Sequence, residues 1–197
     1  MKQKRIAKIE RRTNETKIKL ELNIDGSGKA EVKTGIGFLD HMLDLFAFHG
    51  LFNLKLTCKG DLEIDAHHTT EDIAIALGSA IAEAVREKKG IIRYGFSYLP
   101  MDEALLRVAL DLSGRPEFVF SGEFIQTSIG SLDTQMIRHF FKSLAMSSRM
   151  TLHMSILYGI NDHHKCEGLF KALGRALRQA VEIDQRRTGV ASTKGIL

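Results

Sequence analysis

Two stretches of this chain concentrate side chains able to bind a metal or move a proton: His67-His68-Thr69-Thr70-Glu71 and His163-His164-Lys165-Cys166-Glu167. In each, the first histidine and the glutamate stand four residues apart, so on a helix they share a face. The second histidine projects about 100° from the first, which suits two different metal ions better than one. A single motif of this kind can be two solvated histidines on a polar helix start. Its recurrence 96 residues later favours metal binding.

Two further histidines extend the pattern. His41 lies in Gly37-Phe38-Leu39-Asp40-His41-Met42-Leu43, and His139 lies in the corresponding place of the second half, in Arg138-His139-Phe140-Phe141. Taken singly, either would be read as a satisfied core histidine. Together they complete a supply of six imidazoles and two carboxylates, which divides evenly into two sites of three imidazoles and one carboxylate. Nitrogen ligands with a hard oxygen and no thiolate suit Mn²⁺, Fe²⁺, Co²⁺ or Zn²⁺, and such a site keeps positions open for substrate. His49 and His153 lack counterparts. His49, beside Gly50, is expected to help finish a helix.

These residues need a scaffold that repeats as they do. At the shift of 96, Asp65 meets Asn161, and Leu77, Gly78, Ile81 and Val85 meet Leu173, Gly174, Leu177 and Val181. Upstream, Glu15, Ile18, Leu20, Leu22, Ile24 and Gly26 match Glu103, Leu106, Val108, Leu110, Leu112 and Gly114 at a shift of 88. The chain is thus read as a duplicated half of roughly a hundred residues, 1–90 and 91–197, packed as one unit.

Alternation predicts half-buried strands at Ile18–Ile24, Leu106–Leu112 and Leu152–Tyr158. Leu39, Met42, Leu43 and Phe46 recur at helical spacing before Gly50. Ile73, Leu77, Ala80, Ile81, Ala84 and Val85 do so before Gly90, read as a helix-ending glycine. Asp65 and Asn161 sit where an N-cap would satisfy the first free backbone donors of the helices that follow. The predicted fold is α+β: two duplicated half-domains, each a four-stranded sheet with two helices on one face.

Whole-chain properties bound the function. The 197 residues, 44% of them hydrophobic, suffice for a core. Net charge is +4, but 28 basic residues are interspersed with 24 acidic ones, which favours a small anionic ligand at least as much as nucleic acid. Tryptophan is absent. The start, Met1 to Arg12, is basic, yet no apolar segment of signal or membrane-span length follows, so a cytoplasmic protein without membrane contact is expected. Cys58 and Cys166 lack metal-site spacing and are read as packing residues. For an anionic substrate group, Arg93, Arg115, Lys171 and the run Ser192-Thr193-Lys194-Gly195 are the candidate donors.

Gly35-Ile36-Gly37-Phe38-Leu39-Asp40-His41-Met42-Leu43, Asp65-Ala66-His67-His68-Thr69-Thr70-Glu71-Asp72 and Asn161-Asp162-His163-His164-Lys165-Cys166-Glu167 resemble segments of the imidazoleglycerol-phosphate dehydratase family. So do Arg93-Tyr94-Gly95, Asp111-Leu112-Ser113-Gly114-Arg115-Pro116 and Ser192-Thr193-Lys194-Gly195. The resemblance covers essentially the whole chain. It implies a ribosomal-protein S5 domain 2-like fold, a pair of Mn²⁺ ions per active site, and sites between subunits of a homo-oligomeric cage of roughly 24 copies. It implies metal ligands at His41, His67, His68, Glu71, His139, His163, His164 and Glu167, the eight that counting selects. Phosphate contacts carry over to Arg93, Arg115, Lys171, Ser192 and Lys194, and Glu15 to the substrate's glycerol hydroxyls. One departure is Leu45, where many members have glutamine. No fused phosphatase domain is seen, so a single activity is expected.

The implied reaction is dehydration of imidazoleglycerol phosphate to imidazoleacetol phosphate in histidine biosynthesis. The hypothesis is a metal-bound imidazolate of the substrate and a diazafulvene-like intermediate, with Glu71 or Glu167 as base. Two rival readings are a metal-dependent phosphate hydrolase, separated by assaying inorganic phosphate, and a nucleic-acid-binding module, separated by filter binding in moderate salt.

Overall fold

The computed structural model describes residues 5–196; the basic stretch Met1–Lys4 lies outside them. The first half runs β1 (Ile6–Arg12), β2 (Thr16–Asn23), β3 (Ala30–Lys33), α1 (Gly37–Gly50), β4 (Asn53–Gly60) and α2 (His67–Val85). The second runs β5 (Tyr94–Met101), β6 (Ala104–Asp111), β7 (Glu117–Ser121), a short hairpin of β8 (Ser128–Ile129) and β9 (Leu132–Asp133), α3 (Thr134–Ser148), β10 (Thr151–Tyr158) and α4 (Asp162–Val181). The sheets have matching orders, β1-β2-β4-β3 and β5-β6-β10-β7. In both, only the pair containing the third strand is parallel.

Each long helix covers the first two strands of its own sheet, α2 on β1 and β2, α4 on β5 and β6. Each also packs against the shorter helix of the other half, α2 on α3 and α4 on α1. The four helices therefore form a layer between two sheets, the α+β arrangement that the periodicity predicted.

Two glycines permit that crossing. A Cβ at Gly78 would lie 2.7 Å from the Leu144 carbonyl oxygen of α3, and one at Gly174 would lie 2.5 Å from that of Phe46 in α1. The backbones meet too closely for any side chain, which explains why this pair matched in the repeat.

The outer faces of the sheets differ. Exposed Lys8, Glu10, Lys19 and Lys55 cover the first, with Lys8–Glu21, Lys19–Glu10 and Lys55–Glu31 ion pairs across strands. On the second, Tyr94, Phe96 and Tyr98 stand in a row along the edge strand β5, each more than half exposed.

Two local expectations are corrected and one, for His49 at the end of α1, holds. Helix α2 ends at Val85, with Arg86 at φ 55°, so Gly90 does not terminate it; Gly90 instead donates its N–H to the Gly189 carbonyl and accepts from Asp184. Helix α1 closes on Leu51 in the left-handed region, with Gly50 buried inside the helix and His49 in its last turn. In β10 the alternation holds for Leu152 and Met154 but breaks at a bulge between Ile156 and Tyr158, leaving Tyr158 exposed. Both cysteines are unpaired, Cys166 fully buried. No helix among the described residues is long and apolar enough to cross a membrane.

Candidate metal centres

Helix α4 opens where the sequence places its cap, at Asn161, whereas the N-cap position of α2 falls on Ala66, one residue after Asp65. Asp65 Oδ1 accepts from His67 N at 2.7 Å, and Asn161 Oδ1 accepts from His163 N at 2.9 Å. Both double-histidine blocks thus form the first turn of a helix, with their histidines exposed or partly exposed at its mouth.

Among the described residues, two groups gather ligand atoms within 4.8 Å of one another: His67, Glu71 and His139, and His41, His163 and Glu167. Each is a joint product of the two halves. The α2 block meets the histidine of α3, and the α4 block meets the histidine of α1, because those are the helices that cross at Gly78 and Gly174. His139 Nε2 stands 3.1 Å from Glu71 Oε1, and His67 Nε2 is 3.9 Å from Oε2. In the other group, His163 Nε2 lies 3.1 Å and His41 Nε2 3.7 Å from Glu167 Oε2.

The donor sets fit a divalent cation. Ligand atoms at about 2.1 Å from an octahedral ion are about 3 Å apart when adjacent and about 4 Å when opposite. His139 Nε2 is buried, close to a carboxylate, and yet makes no hydrogen bond. A buried ring nitrogen that faces such a cluster without a hydrogen-bond partner fits a metal ligand.

Each cluster holds two imidazoles and a carboxylate, one imidazole fewer than the even division of the supply predicted. The reason is helical geometry: consecutive residues diverge by about 100°, so His68 and His164 cannot turn into the cluster of their neighbour. His68 Nδ1 pairs with Asp61 Oδ2 at 2.9 Å, with Glu15 Oε1 3.7 Å from its Nε2. His164 Nδ1 pairs with Glu103 Oε2 at 2.7 Å, with Asp102 Oδ2 3.6 Å from its Nε2.

Charge differs between the clusters. Burial pushes the Glu167 carboxyl up, but its bond to the Lys171 ammonium and its contact with His163 outweigh this and hold it below the usual carboxylate range. Hydrogen bonds from Asn161 N, then His164, then Ile160 N pull Glu103 down to about 2. The carboxylates Asp61 and Glu103 raise His68 and His164 respectively.

The anion-binding candidates separate. Arg115 and Lys194 line one basic cavity of about 490 Å³ with Arg86, Lys88, Ser113 and Arg149, and among the described residues no carboxylate side chain lines it. Ser192 Oγ accepts from Lys194 N at 3.2 Å, turning the tail toward that cavity. Arg93 is buried and committed to Asp111 through Nε at 2.6 Å and Nη2 at 2.9 Å, and to the Ala191 carbonyl at 2.7 Å. Lys171 is paired with Glu167, away from the lining of that cavity. Leu45 packs, half-buried, against the core.

Sequence reasoning passed over Asp61, Asp102, Glu103 and the cations Arg86, Lys88 and Arg149. Glu103 carried a signal, since it matched Glu15 in the repeat. The others lie in turns or in non-repeated segments, where periodicity says nothing.

A family model described as imidazoleglycerol-phosphate dehydratase matches residues 34–177. A Clostridium botulinum protein of that name is 54% identical over 192 residues, covering 98% of each chain. A Roseiflexus protein of that name is 57% identical over 194 residues, again 98% of each. Among solved structures, the crystal structure of imidazoleglycerol-phosphate dehydratase from Staphylococcus aureus superposes with a TM-score of 0.83 at 37% identity, over 91% of this chain and 99% of that one. The Pyrococcus furiosus structure gives 0.82 at 38% identity, over 96% and 100%.

Proposed function

The chain belongs to the imidazoleglycerol-phosphate dehydratase family, and we propose that it removes water from imidazoleglycerol phosphate to give imidazoleacetol phosphate, a step of histidine biosynthesis. The observation that carries the reading is the pair of equivalent histidine–glutamate clusters, one of them with an unsatisfied buried Nε2. Residues 1–90 and 91–197 are the halves of a duplication, supported by the matching sheet orders.

His41, His67, His68, Glu71, His139, His163, His164 and Glu167 are the metal ligands. His68 and His164 face away from the clusters of their own chain, so each completes a cluster in another copy. Active sites then lie between subunits of a homo-oligomer, taken from the family resemblance as a cage of roughly 24 copies. The exposed row of Tyr94, Phe96 and Tyr98 supports self-association, since apolar patches of this kind mark interfaces. The interspersed basic residues favour a small anionic substrate over a nucleic-acid partner, and a cytoplasmic enzyme without membrane partners is the reading we adopt.

Two Mn²⁺ ions per site, when bound, supply Lewis acidity that makes the substrate's ring N–H easier to lose. Loss of that proton lets the hydroxyl on the carbon next to the ring depart, giving a diazafulvene-like intermediate of the substrate. The next carbon then yields its proton, the ring regains one, and the resulting enol becomes the ketone. Glu71 is the base for the carbon-bound proton: its side chain is 36% exposed and Ile75 stands where Lys171 grips Glu167. Glu167, 10% exposed and held by Lys171, serves as anchor.

Glu15, on the turn before β2 and beside His68, contacts the glycerol hydroxyls. Arg115, Lys194 and Ser192 hold the phosphate in or beside the basic cavity, where guanidinium and ammonium groups, without a competing carboxylate side chain among the described residues, favour a doubly charged group. Arg93 braces that cavity by fixing Asp111 and Ala191. Lys171 holds Glu167 and keeps further N–H donors for the phosphate.

The test is to incubate metal-stripped protein with imidazoleglycerol phosphate, restore Mn²⁺, and follow the enolisable ketone by ultraviolet absorbance. Metal-dependent product is expected. Release of inorganic phosphate instead, or no product from folded, metal-loaded protein, would overturn the assignment.

A further inference from the structure

We propose that Asp61 and Glu103 are positioning residues that lock the tautomers of His68 and His164, so that Nε2 of each is the atom offered to a divalent cation. This rests on the metal reading above. A carboxylate only accepts hydrogen bonds, so the 2.9 Å contact from Asp61 and the 2.7 Å contact from Glu103 each require the proton on Nδ1. In the neutral ring Nε2 is then left with its lone pair. The carboxylate oxygens on that side, Glu15 Oε1 for His68 and Asp102 Oδ2 for His164, stand at 3.7 and 3.6 Å, beyond hydrogen-bond range.

The Glu103 carboxylate is itself held, whereas Asp61 is fixed through its backbone and its buried Oδ1 has no partner among the described residues. Glu103 Oε1 accepts from Ile160 N at 3.0 Å and Asn161 N at 2.7 Å, which fastens it to the turn that starts α4. Asp61 is 15% exposed, and its carbonyl accepts from Ile64 N at 2.9 Å within the loop that leads to α2.

The deciding point is that these two residues are not equivalents in the duplication. Asp61 follows β4, whereas Glu103 lies in the β5–β6 turn and matches Glu15, which faces the opposite nitrogen of His68. Incidental ion pairs inherited with the fold would recur at matching positions. Here the halves use different backbone positions to grip the same ring nitrogen of the same histidine, which points to a shared demand on Nε2. Outer carboxylates of this kind orient ligating imidazoles and raise their basicity, and their loss typically weakens metal binding about 10- to 100-fold.

Asp61→Ala and Glu103→Ala in the full chain test this with two readouts. In metal-free protein, ¹⁵N chemical shifts of the two imidazoles should report Nδ1–H in the parent and a mixture at the affected histidine alone in each variant. Calorimetric titration with Mn²⁺ should show binding weaker by about 10- to 100-fold. Asp61→Asn and Glu103→Gln retain an acceptor and should restore the tautomer and part of the affinity, which separates positioning from a folding defect. Asp61→Ala should cost nothing further in a His68→Ala background. Parent tautomers and affinity in both alanine variants would overturn this proposal alone. A parent chain that binds no divalent metal would overturn the metal reading and this inference with it.

Discussion

The two histidine–glutamate clusters are made from matching residues on matching helices, yet one is pinned and the other is loose. Glu167 is nearly buried and bonded to Lys171, while Glu71 is about a third exposed with Ile75 at the lysine's place. Duplication preserved what sets ligand position, namely the i, i+4 spacing and the helix crossings. It did not preserve the surroundings that set basicity. A metal anchor profits from a carboxylate held ionised, and a proton carrier profits from one without a captive cation.

The largest effect should come from exchanging each carboxylate for an amide. Glu71→Gln is expected to lower kcat about 10²- to 10⁴-fold with modest change in Mn²⁺ affinity. Glu167→Gln is expected to act first on metal affinity and less on kcat at saturating metal. Steady-state kinetics paired with metal titration reads both. Equal kcat losses would abolish the distinction, and unchanged kcat in both would remove the pair as proton carriers.

The second half also carries an ion pair that the first lacks. Asp162 and Lys165, 1% and 3% exposed, meet at 2.7 Å, where the matching positions hold Ala66 and Thr69. Asp162 additionally accepts from Ile125 N and Gln126 N, tying the segment before the β8–β9 hairpin to α4. Asp162→Ala strands a buried ammonium and should cost about 3–5 kcal/mol in denaturant unfolding. A loss below about 1 kcal/mol would mean that water reaches Lys165.

The helix crossings should instead behave alike. Gly78→Ala and Gly174→Ala each force a methyl group against a backbone carbonyl oxygen and should each cost about 1–3 kcal/mol. Urea melts showing one variant harmless would mean that only one crossing is tight.

The smallest effect concerns His49, whose counterpart in the second half is Ser147. Burial, then Lys171 and Arg175, push its pKa below 6.5. The folded state therefore binds the proton less readily than the unfolded chain does. Its contribution is fully present above pH 6.5 and is lost as pH falls from there through the lower folded value. His49→Gln should flatten the fall of Tm over that interval, and an unchanged slope would show that His49 does not sense it.

Much of the site was legible because its signals are local. A repeated i, i+4 histidine–glutamate pair reads directly as one face of a helix, and Asp65 and Asn161 announced to within one residue where those helices begin. The repeat also singled out Gly78 and Gly174 before any crossing was known. Gly90 misled because a glycine after an apolar helix reads as a stop, whereas Arg86 takes the positive-φ position and Gly90 pairs with the C-terminal stretch. The bond of Arg93 to Asp111, 18 residues away, left no signal in the sequence.

The sequence by itself determined the duplicated α+β fold, the eight candidate ligands and the pairing of each glutamate with the first histidine of its block. Those follow from helical and strand periods, which are properties of neighbouring residues. Only the tertiary structure decided that each cluster borrows a histidine from the opposite half, that His68 and His164 turn toward Asp61 and Glu103, and that Lys171 holds one glutamate while no described cation holds its twin in the same way. Those depend on which helices cross and which loops return. Such partners are separated by tens of residues, and their packing leaves no period in the chain.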